Sequence, residues 1–386
     1  MFDFLFTFIR DHYQTNDFIP LHIPRFFGNE RQYVLDTIDT GIVSSVGSYV
    51  DAFEKQIALF TNSPYAIAAV NGTAALHTAL ILAHVSPGDY VITQSLTFIA
   101  TCNAITYCGA TPLFIDIDKT TLGLSAEALQ TFLEAKTFID ADGLCRLKED
   151  NRIIRVCLPM HTFGHPVEID AIQALCQRFH LSLIEDAAES LGSLYKNQHT
   201  GTFGLCSTLS FNGNKIITTG GGGMILTAHP DIAQTAKHIT TTAKRPHPFE
   251  YVHDTIGFNY RMPNLNAALG CAQLEQLSLF IEKKRQLASL YQAVLKNSPL
   301  QFIAEPPHCL SNYWLNAVLC ENKTMRDALL EKTNASGIMT RPAWHPMHQL
   351  PLFKNAPSEP LPVTEWVAER LVNLPSTVAL EAHADA

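Results

Sequence analysis

The stretch YVITQSLTFIATCNAITYCGATPLFIDI, residues 90–117, places two apolar runs on either side of a helix-patterned segment. YVITQ (90–94) and TPLFIDI (111–117) are rich in β-branched and aromatic residues and do not alternate cleanly with polar ones. That pattern predicts strands buried on both faces. TFIATCNAITYC (97–108) reads as the helix between them. Parallel neighbours need a crossover, and a helix of this length supplies it. The same alternation extends in both directions. YAIAAV (65–70) precedes the helix TAALHTALILAHV (73–85), which begins just after Asn71-Gly72. RVCLPM (155–160), IDAIQALCQRF (169–179) and LSLIEDA (181–187) repeat the unit, and STLSF (207–211) and MILT (224–227) add shorter strands. The expectation is an α/β fold with a mostly parallel seven-stranded sheet covered on both faces.

Around Pro263 the pattern changes. Residues 266–296 read as one long helix or two in succession, suited to connect domains. Beyond it come YWLNAVLC (313–320), TMRDALLEKTNAS (324–336) and the Pro-rich RPAWHPMHQLPLF (341–353), which predict a smaller α+β domain. The expected boundaries are an N-terminal extension over 1–18, a large domain over 19–275 and a small C-terminal domain over 276–386.

The chain is 47% hydrophobic and 16% charged, with a formal net charge of -9. That balance fits a globular protein and argues against a basic nucleic-acid-binding surface. Nine cysteines occur with no C-x-x-C pair, which points to buried thiols in a reducing cytoplasm rather than a metal site or a disulfide framework. The start, MFDFLFTFIR, lacks a basic leader and a small-residue cleavage site, so it reads as a packed or frayed segment. No run reaches the roughly 18 apolar residues of a membrane-spanning helix.

In such a sheet, ligands bind outside the carboxyl ends of the strands. Asn71-Gly72-Thr73 is either an ordinary capped strand-to-helix turn or an anion site at a helix N-terminus. Glu185-Asp186 closes a strand, where a carboxylate either caps the next helix or faces a cationic ligand. Lys215 sits in FNGNKIITTGGGGMI (211–225), ahead of the glycines and before a strand. A P-loop needs the lysine after the glycines and a helix next, so that reading fails on order. A lone lysine is usually solvated, yet a partly buried one with a lowered pKa is an amine nucleophile. Anion site, carboxylate and lysine together suit pyridoxal 5'-phosphate: its phosphate, its pyridine nitrogen and its aldehyde. Phe98 is either a core residue or a ring stacked on that cofactor.

With those residues in view, the chain resembles the fold-type I pyridoxal-phosphate sugar aminotransferases of the DegT/DnrJ/EryC1/StrS group, which share the aspartate aminotransferase-like fold. The resemblance runs from about Ile19 to the mid-370s. It is carried by SSVGSYVDAFE (44–54), NGTAALHTAL (71–80), TFIATCNAI (97–105), HTFGHPVEIDAI (161–172), EDAAESLGS (185–193), LSFNGNKIITTGGGG (209–223) and GFNYRMPNLNAALG (257–270). It implies that Lys215 holds the cofactor covalently, that Asp186 pairs with the ring nitrogen and that Phe98 stacks on the ring. It also implies that Thr73, Ala74 and Ser210 hold the phosphate, and that Asn259 reaches the phosphate of the other subunit in a homodimer with shared sites. Glu189 departs from the Gln or His common in the family, and beside the cofactor's phenolic oxygen it needs a proton or a donor. Relatives with histidine in place of the lysine are dehydratases; this chain keeps Lys215. The stretches 18–34, 44–54 and 337–353 resemble enzymes that aminate UDP-4-keto-6-deoxy-N-acetylhexosamines for bacillosamine- or legionaminic-acid-type sugars. The implied partners are a nucleotide sugar and an amino-acid donor, glutamate, with no nucleic acid, membrane or metal. Arg261, Arg341, His161, His345 and His348 are the candidates for substrate contact. The competing readings are a pyridoxal-phosphate-binding regulator or scaffold, a 3-keto-sugar aminotransferase, and a dehydratase on the same scaffold.

Overall fold

The computed structural model describes residues 2–379. Seven strands form the large sheet: β1 (Tyr65–Ala69), β2 (Tyr90–Gln94), β3 (Thr111–Ile115), β4 (Ile154–Leu158), β5 (Ser182–Asp186), β6 (Cys206–Ser210) and β7 (Gly223–Thr227). Their order is β1-β7-β6-β5-β4-β2-β3. Neighbours run parallel except at β7, which is antiparallel to both β1 and β6.

Successive side chains on a strand point to opposite faces, and here each face has its own helical cover. Val91, Val156 and Ile184 pack with Ala75, Leu80 and Ile105 of the helices Gly72–Leu82 and Ile99–Tyr107. Ile92, Cys157 and Leu183 pack on the other side with Leu129, Leu133 and Ile172 of the helices Ala126–Lys136 and Ile169–Arg178. The strands therefore read as continuous apolar runs because neither face meets water. The nine cysteines carry free thiols, eight of them buried.

The segment around 266–296 forms two helices, Asn264–Glu275 and Leu277–Leu295, parted at Gln276. The first packs on Phe53 through Ala267 and Cys271. The second leads into the smaller α+β domain. There β8 (Gln301–Phe302), β9 (Asn316–Leu319), β10 (Arg341–Pro342) and β11 (Leu371–Leu374) form an antiparallel sheet in the order β8-β9-β11-β10. The apolar N-terminus folds into the helix Asp3–Tyr13, whose Leu5 and Ile9 are fully buried with Leu287, Tyr291, Val318 and Leu374. Burying a side chain of that size stabilises by about 1.5–3 kcal/mol, so this end is packed rather than frayed. Among the described residues no helix is long and apolar enough to cross a membrane.

Candidate active site

The carboxyl end of β5, its neighbour β6 and the first turn of the helix Ile99–Tyr107 meet around Asp186, the last residue of β5. Asp186 is 2% exposed. Its Oδ2 accepts from the Thr101 hydroxyl at 2.8 Å, and its Oδ1 accepts from the Ala188 N–H at 3.2 Å. Burial raises its pKa above the usual carboxylate range; the two donors and the charges of Lys215 and His161 act the other way.

The preceding Glu185 faces away from this point, as strand alternation requires. Its carboxylate accepts from the backbone N–H groups of Gly201 (2.7 Å), Phe203 (2.8 Å) and Gly204 (3.0 Å). His161 Nε2 lies 3.1 Å from it, and His161 Nδ1 accepts from the Val167 N–H at 3.2 Å. Both ring nitrogens of His161 are thus engaged and the ring is fully buried. The expectation that His161 faces substrate is corrected: it braces Glu185, because the strand end that presents Asp186 must also anchor the 201–204 loop.

Lys215 lies in the loop between β6 and β7. Its Nζ is 3.1 Å from Glu189 Oε1 and 4.1 Å from the centroid of the Trp314 ring. Its side chain is only 11% exposed. Glu189 Oε2 accepts from the Phe163 N–H at 2.9 Å. Phe163 takes a left-handed backbone (φ 56°) to present that N–H. Burial pushes the Glu189 carboxyl up to about 7, against the opposing pull of Lys215 and the Phe163 N–H. Trp314 is clamped in turn: its Nε1–H donates to the Asn214 carbonyl at 2.7 Å, and its N–H to Asn312 Oδ1 at 2.8 Å. The glycines after Lys215 turn the chain back into β7, with Gly220 at φ 78°. Asn266 donates across this turn to the Thr219 carbonyl at 2.6 Å.

The helix Gly72–Leu82 points its N-terminus at Ser210. A Cβ at position 72 would sit 3.0 Å from Ser210 Cβ, and one at 223 would sit 2.5 Å from the Asn71 carbonyl. Glycine at both positions lets three backbone segments close into a small polar cup. Thr73 stands in the first helical turn, where amides have no intrahelical partner. The Ala74 N–H donates to Asn71 Oδ1 at 2.8 Å, so that amide is engaged by the helix's own cap.

Phe98 is the N-cap residue of its helix and is 48% exposed, which removes the core-residue alternative. Its ring centroid is 6.3 Å from that of Trp344, which lies 5.1 Å from Phe163. Asn259 is exposed, and its Oδ1 accepts from Arg261 Nη2 at 3.2 Å. Other candidates stay outside the cluster. Arg341 is exposed on β10 and donates to Asn334 Oδ1 and to its neighbour's carbonyl, each at 3.2 Å. His348 Nδ1 meets the Ser95 hydroxyl at 2.7 Å and its Nε2 faces Glu365 at 3.3 Å, so it pins its loop to the large domain. His345 is exposed beside a cavity lined by Lys323 and Arg326.

Thr101, Phe163, Trp314 and Trp344 were not among the residues expected here. Only Thr101 carried a signal, three positions after Phe98 in a predicted helix and hence on a neighbouring face. Pyridoxal 5'-phosphate requires an anion cup at a helix N-terminus, a carboxylate for a protonated ring nitrogen and a sheltered amine. The cup closed by Gly72, Gly223 and Ser210, the buried Asp186 and the enclosed Lys215 fit those requirements.

The matches with known proteins point the same way. The DegT/DnrJ/EryC1/StrS aminotransferase family matches residues 26–385. The chain is 37% identical over 363 residues to GDP-perosamine synthase of Escherichia coli O157:H7, covering 94% of each. It is also 37% identical over 367 residues to GDP-perosamine synthase of Caulobacter vibrioides, again with 94% of each covered. A DegT DnrJ EryC1 StrS aminotransferase from Brucella abortus superposes with a TM-score of 0.81 at 27% identity, over 92% of this chain and 91% of that one. Similarity over that span, on a chain whose strand ends enclose such a lysine and carboxylate, makes this protein a pyridoxal phosphate-dependent sugar aminotransferase of the DegT/DnrJ/EryC1/StrS family.

Proposed function

We propose that this enzyme transfers the amino group of glutamate to C4 of a UDP-4-keto-6-deoxy-N-acetylhexosamine. The observation that carries the 4-amino outcome is the 37% identity, across 94% of both chains, to a synthase of GDP-perosamine, a 4-amino sugar nucleotide. The N-acetylhexosamine rests on the resemblance of residues 18–34, 44–54 and 337–353 described above. A GDP-linked 4-keto-6-deoxyhexose is the second reading, favoured by the same two relatives.

Lys215 is the residue that holds the cofactor and moves the proton at the substrate carbon. Asp186 keeps the ring nitrogen protonated, Phe98 lies on the ring, and Thr73, Ser210 and the amides of the first helical turn hold the phosphate. The amide of Ala74 joins them if Asn71 Oδ1 yields its place. When bound, the cofactor supplies an aldehyde that carries the amino group and a ring that accepts electrons. Glu189 stays within reach of Lys215 as a proton acceptor and is itself kept in place by the Phe163 N–H.

The site is completed in a homodimer. The loop that carries Asn259 also carries Phe249, Tyr251 and Ile256, exposed at 87%, 80% and 83%. Such a run of apolar surface on one loop suits burial against a second chain. Asn259 and Arg261 would then face the partner's phosphate and the substrate diphosphate.

The test is a glutamate-dependent assay with UDP-4-keto-6-deoxy-N-acetylhexosamine, GDP-4-keto-6-deoxyhexose and a 3-keto nucleotide sugar. The expected result is a 4-amino product from the UDP substrate at the highest kcat/KM. A preference for the GDP sugar would establish the second reading. Failure of every 4-keto sugar, with turnover of the 3-keto one, would overturn both. If neither glutamate nor any other amino donor converted the bound cofactor to its amine form, the chain would be a regulator or scaffold instead.

A further inference from the structure

We propose that Thr101, backed by Thr97, is a positioning residue that keeps Asp186 ionised through a one-way chain of hydroxyl hydrogen bonds. The proposal rests on Asp186 meeting the cofactor ring, but not on which sugar is aminated.

Thr97 and Thr101 are fully buried, one on each side of the exposed Phe98. Their hydroxyls are 2.9 Å apart, and Thr101 Oγ1 lies 2.8 Å from Asp186 Oδ2. On its far side Thr97 Oγ1 lies 3.0 Å from Met160 Sδ. The chain therefore joins a carboxylate at one end to a thioether at the other. Each hydroxyl has one proton to give. With Asp186 ionised, Thr97 donates to Thr101 and Thr101 donates to Oδ2, so both protons point toward the charge. With Asp186 neutral, its proton either sits on Oδ2 and donates to Thr101, or sits on Oδ1 and leaves Oδ2 an uncharged, weaker acceptor for Thr101. In the first case the two hydroxyl protons turn over, and the last of them ends on sulfur. A thioether is a weak acceptor and a carboxylate a strong one. The difference between the two ends favours the arrangement that leaves Asp186 charged, and hydrogen bonds in series strengthen one another.

The chain has work to do because burial alone pushes Asp186 toward its neutral form. The charged and titratable groups around it are Lys215, His161, Glu189 and the Cys102 thiol. Of these, Lys215 is committed to the cofactor in the proposed site, and His161 has both ring nitrogens engaged by Glu185 and Val167. Thr208 provides an internal control. It pairs with Asp186 across β6 and β5, yet its buried hydroxyl has no partner among the described residues.

The experiment follows the Asp186 carboxyl in cofactor-free protein by ¹³C NMR of labelled aspartate, and measures pyridoxal phosphate affinity by equilibrium dialysis. Thr101→Val should raise the Asp186 titration by about one pH unit, the value of one charge-assisted hydrogen bond. It should weaken cofactor binding about tenfold. Thr101→Ser should restore both, Thr97→Val should move both by less, and Thr208→Val should move neither. A folded Thr101→Val protein with an unmoved Asp186 titration would overturn the proposal; if that variant does not fold, Thr97→Val decides in its place. A moved titration with unchanged cofactor affinity would support the hydroxyl chain and instead overturn the contact between Asp186 and the ring.

Discussion

The floor of the site and its rim differ in how their polar groups are satisfied. At the floor, Glu185, Asp186 and Glu189 are no more than 3% exposed, and their partners come from the same chain. At the rim, Phe98 is exposed, and Asn259, Arg341 and His345 are exposed outside the cluster. Folding one chain fixes the floor, whose partners are backbone amides and the side chains of Thr101, His161 and Lys215.

Substitutions should separate the two regions in proportion. Lys215→Ala should lower single-turnover amination by on the order of 10⁴-fold or more and abolish covalent cofactor attachment, with a thermal midpoint near that of the parent. A comparable rate in the variant would end the assignment of Lys215. Glu185→Ala leaves three backbone donors and His161 without their acceptor. The cost should be about 3–5 kcal/mol by denaturant titration; a loss below about 1 kcal/mol would mean that the 201–204 loop holds itself.

A third test concerns Glu189, whose carboxyl is raised from 4.5 to about 7. Below about pH 4.5 it is protonated in both folded and unfolded chains and does not affect stability. As pH rises to about 7, the unfolded chain sheds a proton that the folded chain keeps, so stability falls by up to about 3 kcal/mol and then levels off. Glu189→Gln should flatten that decline in urea midpoints of the cofactor-free protein, and parallel curves for the two proteins would contradict it. The smallest effect belongs to the exposed surface outside the cluster. Among the described residues Arg341→Ala removes side-chain hydrogen bonds only to Asn334 and Thr340, so cofactor affinity should hold and KM should change by less than about threefold. A larger rise in KM would bring Arg341 into the substrate site.

The strands were legible because their burial on both faces leaves a continuous apolar run, and β2 falls on the residues expected of it. The long helix was harder: nothing in the periodicity around Gln276 marks a break that tertiary packing imposes. Asp186 and Lys215 could be picked out as polar residues in apolar surroundings. Trp314 and Trp344 could not, since each is one aromatic among many until the small domain folds over the large one. His161 shows the converse error. A histidine after a strand invites a substrate-facing reading, and only the fold reveals that the neighbouring Glu185 claims it.

The reversed strand β7 has a consequence for biosynthesis. β1 pairs with β7 alone in the large sheet. The ribosome must therefore make the chain through Thr227 before Tyr65–Ala69 finds its neighbour, and the apolar edge waits unpaired until then. Pairings so distant in sequence are slow and exposed to aggregation. Lys215 sits in the connection that precedes β7, so inserting this strand both seals the sheet and delivers the lysine to its place. Covalent capture of the cofactor would thus report, on a nascent or refolding chain, that the sheet has closed.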